Sequence, residues 1–422
     1  MIINKEKVNY YIVFYEKYSD LENMAPIVNY MLDKDLNSKV EFFYYGHRIN
    51  EFSMYIIDWF QKKYLNRIIH NSLGYNKISN FKNKNNLKIK ILNKTLSLGK
   101  SFSVSKDYYM NYYSNIMYSH LNQLTTLNDN LKNVICLYAF SGRDILTKTA
   151  IKTKNNKNIK WIRLPQGVKL TTSCFRDNTD KPFNAEKYAD KWADIVIDTD
   201  NYNFDYLDDF NKKIGRKQGD YSGIVKLGAP RFSNTWIEIL DNEIFNDYKS
   251  TFLLNDNKIK VLFLLTPWKK NVWKDETHKV IELILSYNVN LIVKGFHHDT
   301  LLDKCLENRI IRDEDSATTT LIRDADAVIY IATSVALESY IRGKETLNIS
   351  YLHANQTILN TETSCIEAKS RDDMHVFMTN LINNGTFSND VETKQKTEKF
   401  ILENIVKNDV DLAYPNFILN NI

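Results

Sequence analysis

The chain has 422 residues, of which 43% are hydrophobic and 25% charged, and a net charge of +5. That length suits two hydrophobic cores better than one, and so small a charge argues against a dedicated nucleic-acid binder, which concentrates basic residues on one face. Four dispersed cysteines, Cys136, Cys174, Cys305 and Cys365, form no CxxC pair, which disfavours structural zinc and a disulfide framework and favours a reducing, cytoplasmic setting.

The first apolar run, Tyr10 to Tyr15, is too short for a signal-peptide core and reads as a strand. No later run approaches the ~20 residues of a spanning helix, so membrane association is expected to be peripheral only. A helix follows from Leu21 to Leu32, then a strand from Val40 to Gly46. The helix from Glu51 to Tyr64 carries Ile56, Ile57, Phe60 and Tyr64 on one face. A Lys/Asn-rich stretch from Asn76 to Lys94 is expected to be loop or edge strand. Strands recur at Val134–Phe140, Lys160–Leu164, Asp194–Asp198 and Gly223–Gly228.

The second half is more regular. Lys260–Leu265 is a strand, Val280, Ile281, Ile284 and Leu285 have helical spacing, and Leu291–Lys294 is a strand. A short helix from Leu301, a brief strand at Ile310 and Ile311, and a helical turn around Leu321 come next. Ala327–Ile331 is a full strand, Thr333–Gly343 a helix with a Thr/Ser start and a Gly stop, and Thr346–Ser350 a strand. Near-continuous apolar strands alternating with helices imply an α/β protein with parallel sheets buried on both faces. Two Rossmann-like domains facing a central cleft are expected: residues 1–240, residues 241–390, and a helical tail over 391–422 able to cross back to the first.

Open sheets of this kind bind ligands beyond the carboxyl ends of their strands, and candidate residues cluster there. Thr333 and Ser334 follow a strand and open a helix, where backbone N–H groups and hydroxyls suit a phosphate. Glu338, four residues on, shares the helix face with Ser334 and suits a ribose diol. The alternative is that Thr333 or Ser334 caps the helix and Glu338 favours its positive end. Lys294 and His297 follow another strand and can donate to phosphate; the His297–His298 doublet lacks helical metal-ligand spacing, so no metal is expected. Thr266 heads a loop with Lys269, Lys270 and two tryptophans, which is either a phosphate contact and entrance or a solvated basic loop. In the first half, Gln166 and Gly167 in LPQG and Arg231 in LGAPR follow strands, with glycines that permit close backbone approach. Asp144 is a candidate general base, with Asp20 and Glu16 as rivals. No nucleophile triad, P-loop or GxGxxG is present, which disfavours hydrolase, kinase and dinucleotide-dehydrogenase readings.

The succession LPQG, LGAPR, TPW, VKGFHH and DADAVIYIATSVALESYIRGKE resembles GT-B glycosyltransferases of bacterial surface polysaccharide synthesis. It is similar above all to the capsule and lipopolysaccharide group related to Kdo transferases, CDP-glycerol polymerases and UDP-N-acetylglucosamine 2-epimerases. The resemblance spans about Trp161 to Ser350. Gln166 stands where the family usually has His, His297–His298 where it has His-Pro, and Thr333 where it has Ser. The resemblance implies a metal-independent transfer from a CMP-, CDP- or UDP-linked sugar, used as substrate and not as a permanent cofactor, to a glycan or lipid-linked acceptor. It places Thr333 and Ser334 on phosphate, Glu338 on ribose, and Lys294 and His297 on further phosphate or sugar oxygens. A CDP-polyol phosphotransferase, a sugar-nucleotide 2-epimerase and a non-catalytic sugar-nucleotide or glycan-binding protein are the alternatives.

Overall fold

Strand β1 (Val8–Tyr15) is buried from Tyr10 to Tyr15, and its side chains alternate between two cores. Tyr11, Val13 and Tyr15 enter one apolar cluster, and Tyr10, Ile12 and Phe14 enter another. β8 (Ile259–Leu264) does the same in a second sheet: Leu262 and Leu264 face one way, Val261 and Phe263 the other. Strands buried on both faces have no polar alternation, which is why both runs read as continuous apolar segments.

The computed structural model describes residues 8–46, 50–73, 103–126, 131–139, 144–165, 167–168, 170, 193–199, 224–250, 257–268, 272–295, 302–313, 316–353, 357–363 and 365–422. The first sheet adds β2 (Lys39–Tyr44), β3 (Ile68–Ser72), β4 (Leu131–Ala139), β5 (Ile159–Leu164), β6 (Ile195–Asp198) and β7 (Ile224–Lys226), in the order β3-β2-β1-β4-β5-β6-β7. The second adds β9 (Val289–Lys294), β10 (Ile311–Arg312), β11 (Ala327–Tyr330), β12 (Glu345–Ile349) and β13 (Glu367–Ala368), in the order β10-β9-β8-β11-β12-β13. Every strand pairing in both sheets is parallel. This is the α/β architecture of two Rossmann-like sheets that the alternating pattern predicts.

One face of each sheet drains into a single apolar cluster. Trp236, Leu240 and Phe245 of the connecting segment join it, as do Ile401, Ile405, Tyr414 and Ile418 from the end of the chain. The last helix, Val410–Asn420, packs on the first, α1 (Tyr18–Lys34). Two hydrogen bonds hold this return: Ala229 N–H donates to the Ile405 carbonyl at 3.0 Å, and the Tyr414 hydroxyl to the Gly228 carbonyl at 2.8 Å. Gly228 has φ +88, and a Cβ there would collide with the Val406 carbonyl oxygen. The glycine of LGAPR therefore accommodates the chain's own C-terminal segment rather than a ligand.

Several elements differ from expectation. The helix after β11 runs only over Ala336–Ile341, not from Thr333 to Gly343. The 24-residue helix Ser103–Thr126, the helix Arg371–Asn384 and β3 have no counterpart in the sequence reading, while the last helix falls within the expected helical tail. Ser103–Thr126 is rich in Tyr, Asn and Ser, without a clean apolar stripe, and Pro415 interrupts the pattern of the last helix. The Asn76–Lys94 stretch lies outside the described residues. No helix among the described residues is long and apolar enough to cross a membrane.

Candidate functional site

In the second sheet the strand order reverses between β8 and β11, the kind of switch point beside which open parallel sheets bind ligands. Thr266, two residues past β8, is buried, and its hydroxyl donates to the carbonyl of Ile331, just past β11. It thus ties the two loops that flank the switch point, and its own donor is used internally. Immediately after this tie Ala332 takes φ +42, in the left-handed region a residue with a Cβ seldom adopts. Thr333 and Ser334 follow in a half-buried turn. The helix begins only at Ala336, and its N-cap, Val335, supplies no side-chain bond. The capping explanation for Thr333 and Ser334 therefore does not hold, and their hydroxyls line the turn at the switch point.

Glu338 is 2% exposed. Its Oε1 accepts from the Thr319 hydroxyl and from Arg342 Nε at 2.9 Å. Arg342 also bonds both carboxylate oxygens of Asp241 in the connecting segment and the Thr319 hydroxyl, the last at 3.0 Å. All these contacts on Glu338 fall on one oxygen. The adjoining carboxylates hold the Arg342 guanidinium above its ordinary range although burial opposes it.

Lys294, at the end of β9, donates to the backbone carbonyls of Asp313 at 3.2 Å and Ser316 at 2.6 Å. It braces the loop behind β10, while Asp313 itself accepts from the Ser316 N–H and hydroxyl. Arg231 sits in a single 3₁₀ turn, Pro230–Phe232, where the first sheet gives way to the connecting segment. Its Nη2 lies 2.8 Å from Oε1 of Glu22 on α1, and both side chains are buried. The Tyr18 hydroxyl reaches the same oxygen at 3.5 Å. Burial pushes the Glu22 carboxyl up to about 7; Arg231 opposes the rise, Glu338 adds to it, and Tyr18 and Lys294 oppose it. Burial also pushes the Tyr18 phenol well up, with the Glu22 and Glu338 charges adding and Arg231 opposing.

Three residues singled out from the sequence, Arg231, Lys294 and Glu338, thus share one electrostatic neighbourhood at the seam between the sheets, centred on Tyr18 and Glu22. Thr266, Thr333 and Ser334 lie along the switch point of the second sheet. Glu16 and Asp20 sit at the end of β1, where the Glu16 N–H donates to Asp20 Oδ2 at 3.2 Å and Asp20 is 2% exposed. Gly167 has φ +154 with open space where a Cβ would stand. Asp144 opens the helix Asp144–Thr153; its side chain, Gln166, His297 and the Lys269–Lys270 pair lie outside the described residues.

Sequence reasoning missed Tyr18, Glu22, Thr319, Arg342 and Asp241. A signal existed for one of them: Glu338 and Arg342 stand four apart at the end of a helix, the spacing of an ion pair. The burial of Glu22, in a helix buried from Asp20 to Leu32, is visible only in the structure. Thr319 and Asp241 are remote in sequence and carry no such mark.

No protein-family model matches the sequence, and no curated protein matches it significantly. Solved structures do resemble it in fold. A Listeria monocytogenes protein assigned as a UDP-N-acetylglucosamine 2-epimerase is 14% identical, with 98% of this chain and 95% of that chain covered and a TM-score of 0.56. The UDP-GlcNAc 2-epimerase of Neisseria meningitidis, solved with UDP-GlcNAc bound, is 10% identical over 98% of this chain and 99% of that one, with a TM-score of 0.54. The N-terminal domain of Candida albicans trehalose-6-phosphate phosphatase is 13% identical over 99% and 97%, with a TM-score of 0.51. At such identities the likeness establishes the GT-B-type fold that the motif succession implied.

Proposed function

We propose that this chain is a glycosyltransferase that moves a sugar from a CMP-, CDP- or UDP-linked donor to a growing bacterial surface glycan, working peripherally at the inner face of the membrane. The observation that carries the reading is the turn after β11. It lies at the switch point of a parallel sheet, bends through a positive φ at Ala332, and carries two hydroxyls that cap nothing. Backbone N–H groups and hydroxyls so placed suit a diphosphate. In this reading Thr333 and Ser334 hold phosphate and Thr266 fixes the loop that presents them. Glu338 meets the ribose through the oxygen not engaged by Arg342, and Lys294 and Arg231 offset the charge of the leaving nucleotide. In the same reading Gln166, Gly167 and His297 are further contacts to the donor. Asp144, Asp20 and Glu16 are the candidates for the base that activates the acceptor hydroxyl. The bound UDP-GlcNAc of the Neisseria meningitidis neighbour supports a ligand of this class.

The test is a thermal-shift series with CMP-, CDP- and UDP-linked sugars on the wild type and on a Thr333→Val/Ser334→Ala double variant. At least one donor is expected to stabilise the wild type, with affinity reduced about tenfold in the variant, the loss of one or two hydrogen bonds to a charged group. No stabilisation by any donor would discard the reading.

A second reading, a sugar-nucleotide 2-epimerase, is favoured by one observation: Glu22 and Glu338 are neighbouring buried carboxylates at the seam, with buried Asp20 on the same helix as Glu22, the kind of acid/base set such chemistry needs. Formation of an epimer from UDP-GlcNAc without any acceptor would select it.

A further inference from the structure

Arg231 carries a donor that the protein leaves unmet. The residue is 9% exposed, and one edge of its guanidinium is held by Glu22, Nη2 to Oε1 at 2.8 Å. Its Nε–H is buried and meets no acceptor among the described residues. A buried charged donor without a partner is costly to keep, and an anion is the partner that would repay the cost best. The groups facing Glu22 come from four elements: Tyr18 on its own helix, Arg231 on the connecting segment, Lys294 at the end of β9 and Glu338 on the helix after β11. Glu22 already neutralises Arg231, and Glu338 adds a second carboxylate to the neighbourhood. A further anion at Arg231 therefore has to displace the charge of Glu22.

Resting on the donor-site reading above, we infer that Arg231 and Glu22 form a proton-linked anion subsite: the Nε–H edge of Arg231 binds one oxygen of a ligand phosphate, and Glu22 takes up a proton from solvent as the anion binds. No covalent bond forms or breaks. The neutral carboxyl keeps Tyr18 and one guanidinium N–H as neighbours but no longer repels the phosphate, and Arg231, still positively charged, pairs with the ligand in place of Glu22. Burial sets the Glu22 carboxyl near neutrality, so the exchange falls in a range where small changes of pH move it.

The experiment is calorimetric titration of the full chain at about pH 6, 7 and 8. One probe is UDP-N-acetylglucosamine, whose diphosphate diester has no group titrating near neutrality, and the other is sulfate at constant ionic strength. Wild-type affinity is expected to fall roughly tenfold from the lowest to the highest pH, with net proton uptake on binding. Glu22→Gln should still bind, with the pH slope gone; Arg231→Gln should bind at least about tenfold more weakly at every pH. Circular dichroism and melting check that each variant folds. If Arg231→Gln does not, Arg231→Lys, which keeps the charge and loses the Nε–H edge, takes its place. A flat wild-type profile, a slope that survives in Glu22→Gln, or an Arg231 variant that binds like wild type overturns the subsite. A sulfate response that depends on both residues while no nucleotide sugar binds leaves the subsite standing and discards the donor reading. Nucleotide-sugar binding indifferent to both residues does the reverse, and binding of neither probe overturns the subsite, and the donor reading with it where no CMP- or CDP-linked sugar stabilises the chain.

Discussion

Arg342 shows how much of the seam rests on single side chains. Its guanidinium is bonded to Glu338, Asp241 and Thr319, so it joins the helix after β11, the connecting segment and the helix Thr318–Asp324. Removing one partner of a buried pair leaves the other charge uncompensated, which costs about 3–5 kcal/mol. Arg342→Ala is accordingly expected to lower unfolding stability by about 3 kcal/mol, measured by chemical denaturation. Arg342→Lys should recover only part of that loss, because a point charge cannot serve Glu338 and Asp241 at once. A variant within about 0.5 kcal/mol of wild type would mean that the cluster is solvated and not a structural tie. At this scale the sequence was only partly readable. Glu338 was legible as a helix-face carboxylate, but its engagement by Thr319 depends on a packing contact nineteen residues away. Thr266 was legible as a loop residue at a strand end, but its use as an internal tie to Ile331 was not.

At the scale of elements, the C-terminal return is the feature with the sharpest consequence. The helix Val391–Phe400 leads into a π-helical turn, Ile401–Val406, whose end lies against Gly228. A side chain at Gly228 meets both a positive φ and the Val406 carbonyl. Gly228→Ala is therefore expected to cost at least ~2 kcal/mol and to raise hydrogen exchange in residues 401–420 selectively. Gly385→Ala is the control. Gly385 ends the helix Arg371–Asn384 at φ +71 with open space around it, so the backbone penalty alone applies, about 1 kcal/mol. Equal costs at the two positions would count against the close approach at Gly228. The same scale explains why Ser103–Thr126 was not anticipated. His120 on that helix bonds Glu41, which is fully buried in β2 and also accepts from Tyr10 and Asn71. Burial alone would raise the Glu41 carboxyl, but His120 and the other donors outweigh it and hold it below its ordinary range. A polar pin of this kind assembles from four elements, and no window of sequence contains it.

The whole molecule has a pH dependence whose sign follows from these groups. Glu22 binds its proton more tightly in the folded chain than the unfolded value of 4.5, up to about 7. Its contribution is therefore fully present on the acidic side of that interval and is lost as pH rises through about 7. Glu41 and Asp324 are held below their ordinary values, so their contributions are present above those values and lost as pH falls through the lowered ones. Stability is expected to peak between the two regimes. Glu22→Gln should flatten the neutral limb, by on the order of 2 kcal/mol, and leave the acid limb unchanged. Denaturation curves across pH check this; a neutral limb identical in the variant would remove Glu22 from the account.

The sequence by itself determined the α/β class, the parallel sheets and the loops at the strand ends, because continuous apolar strands and helical spacing are local signals that burial on both faces imposes. It also marked Arg231, Lys294 and Glu338 one by one. Only the tertiary structure decided that these three gather around Tyr18 and Glu22 at the seam, that Thr333 and Ser334 are free of capping duty, and that the glycine of LGAPR serves the chain's own end. Each of those outcomes is a matter of which distant groups share a low-dielectric space. Distance and desolvation arise when the sheets and the C-terminal helices close on one core, and they leave no periodic trace along the chain.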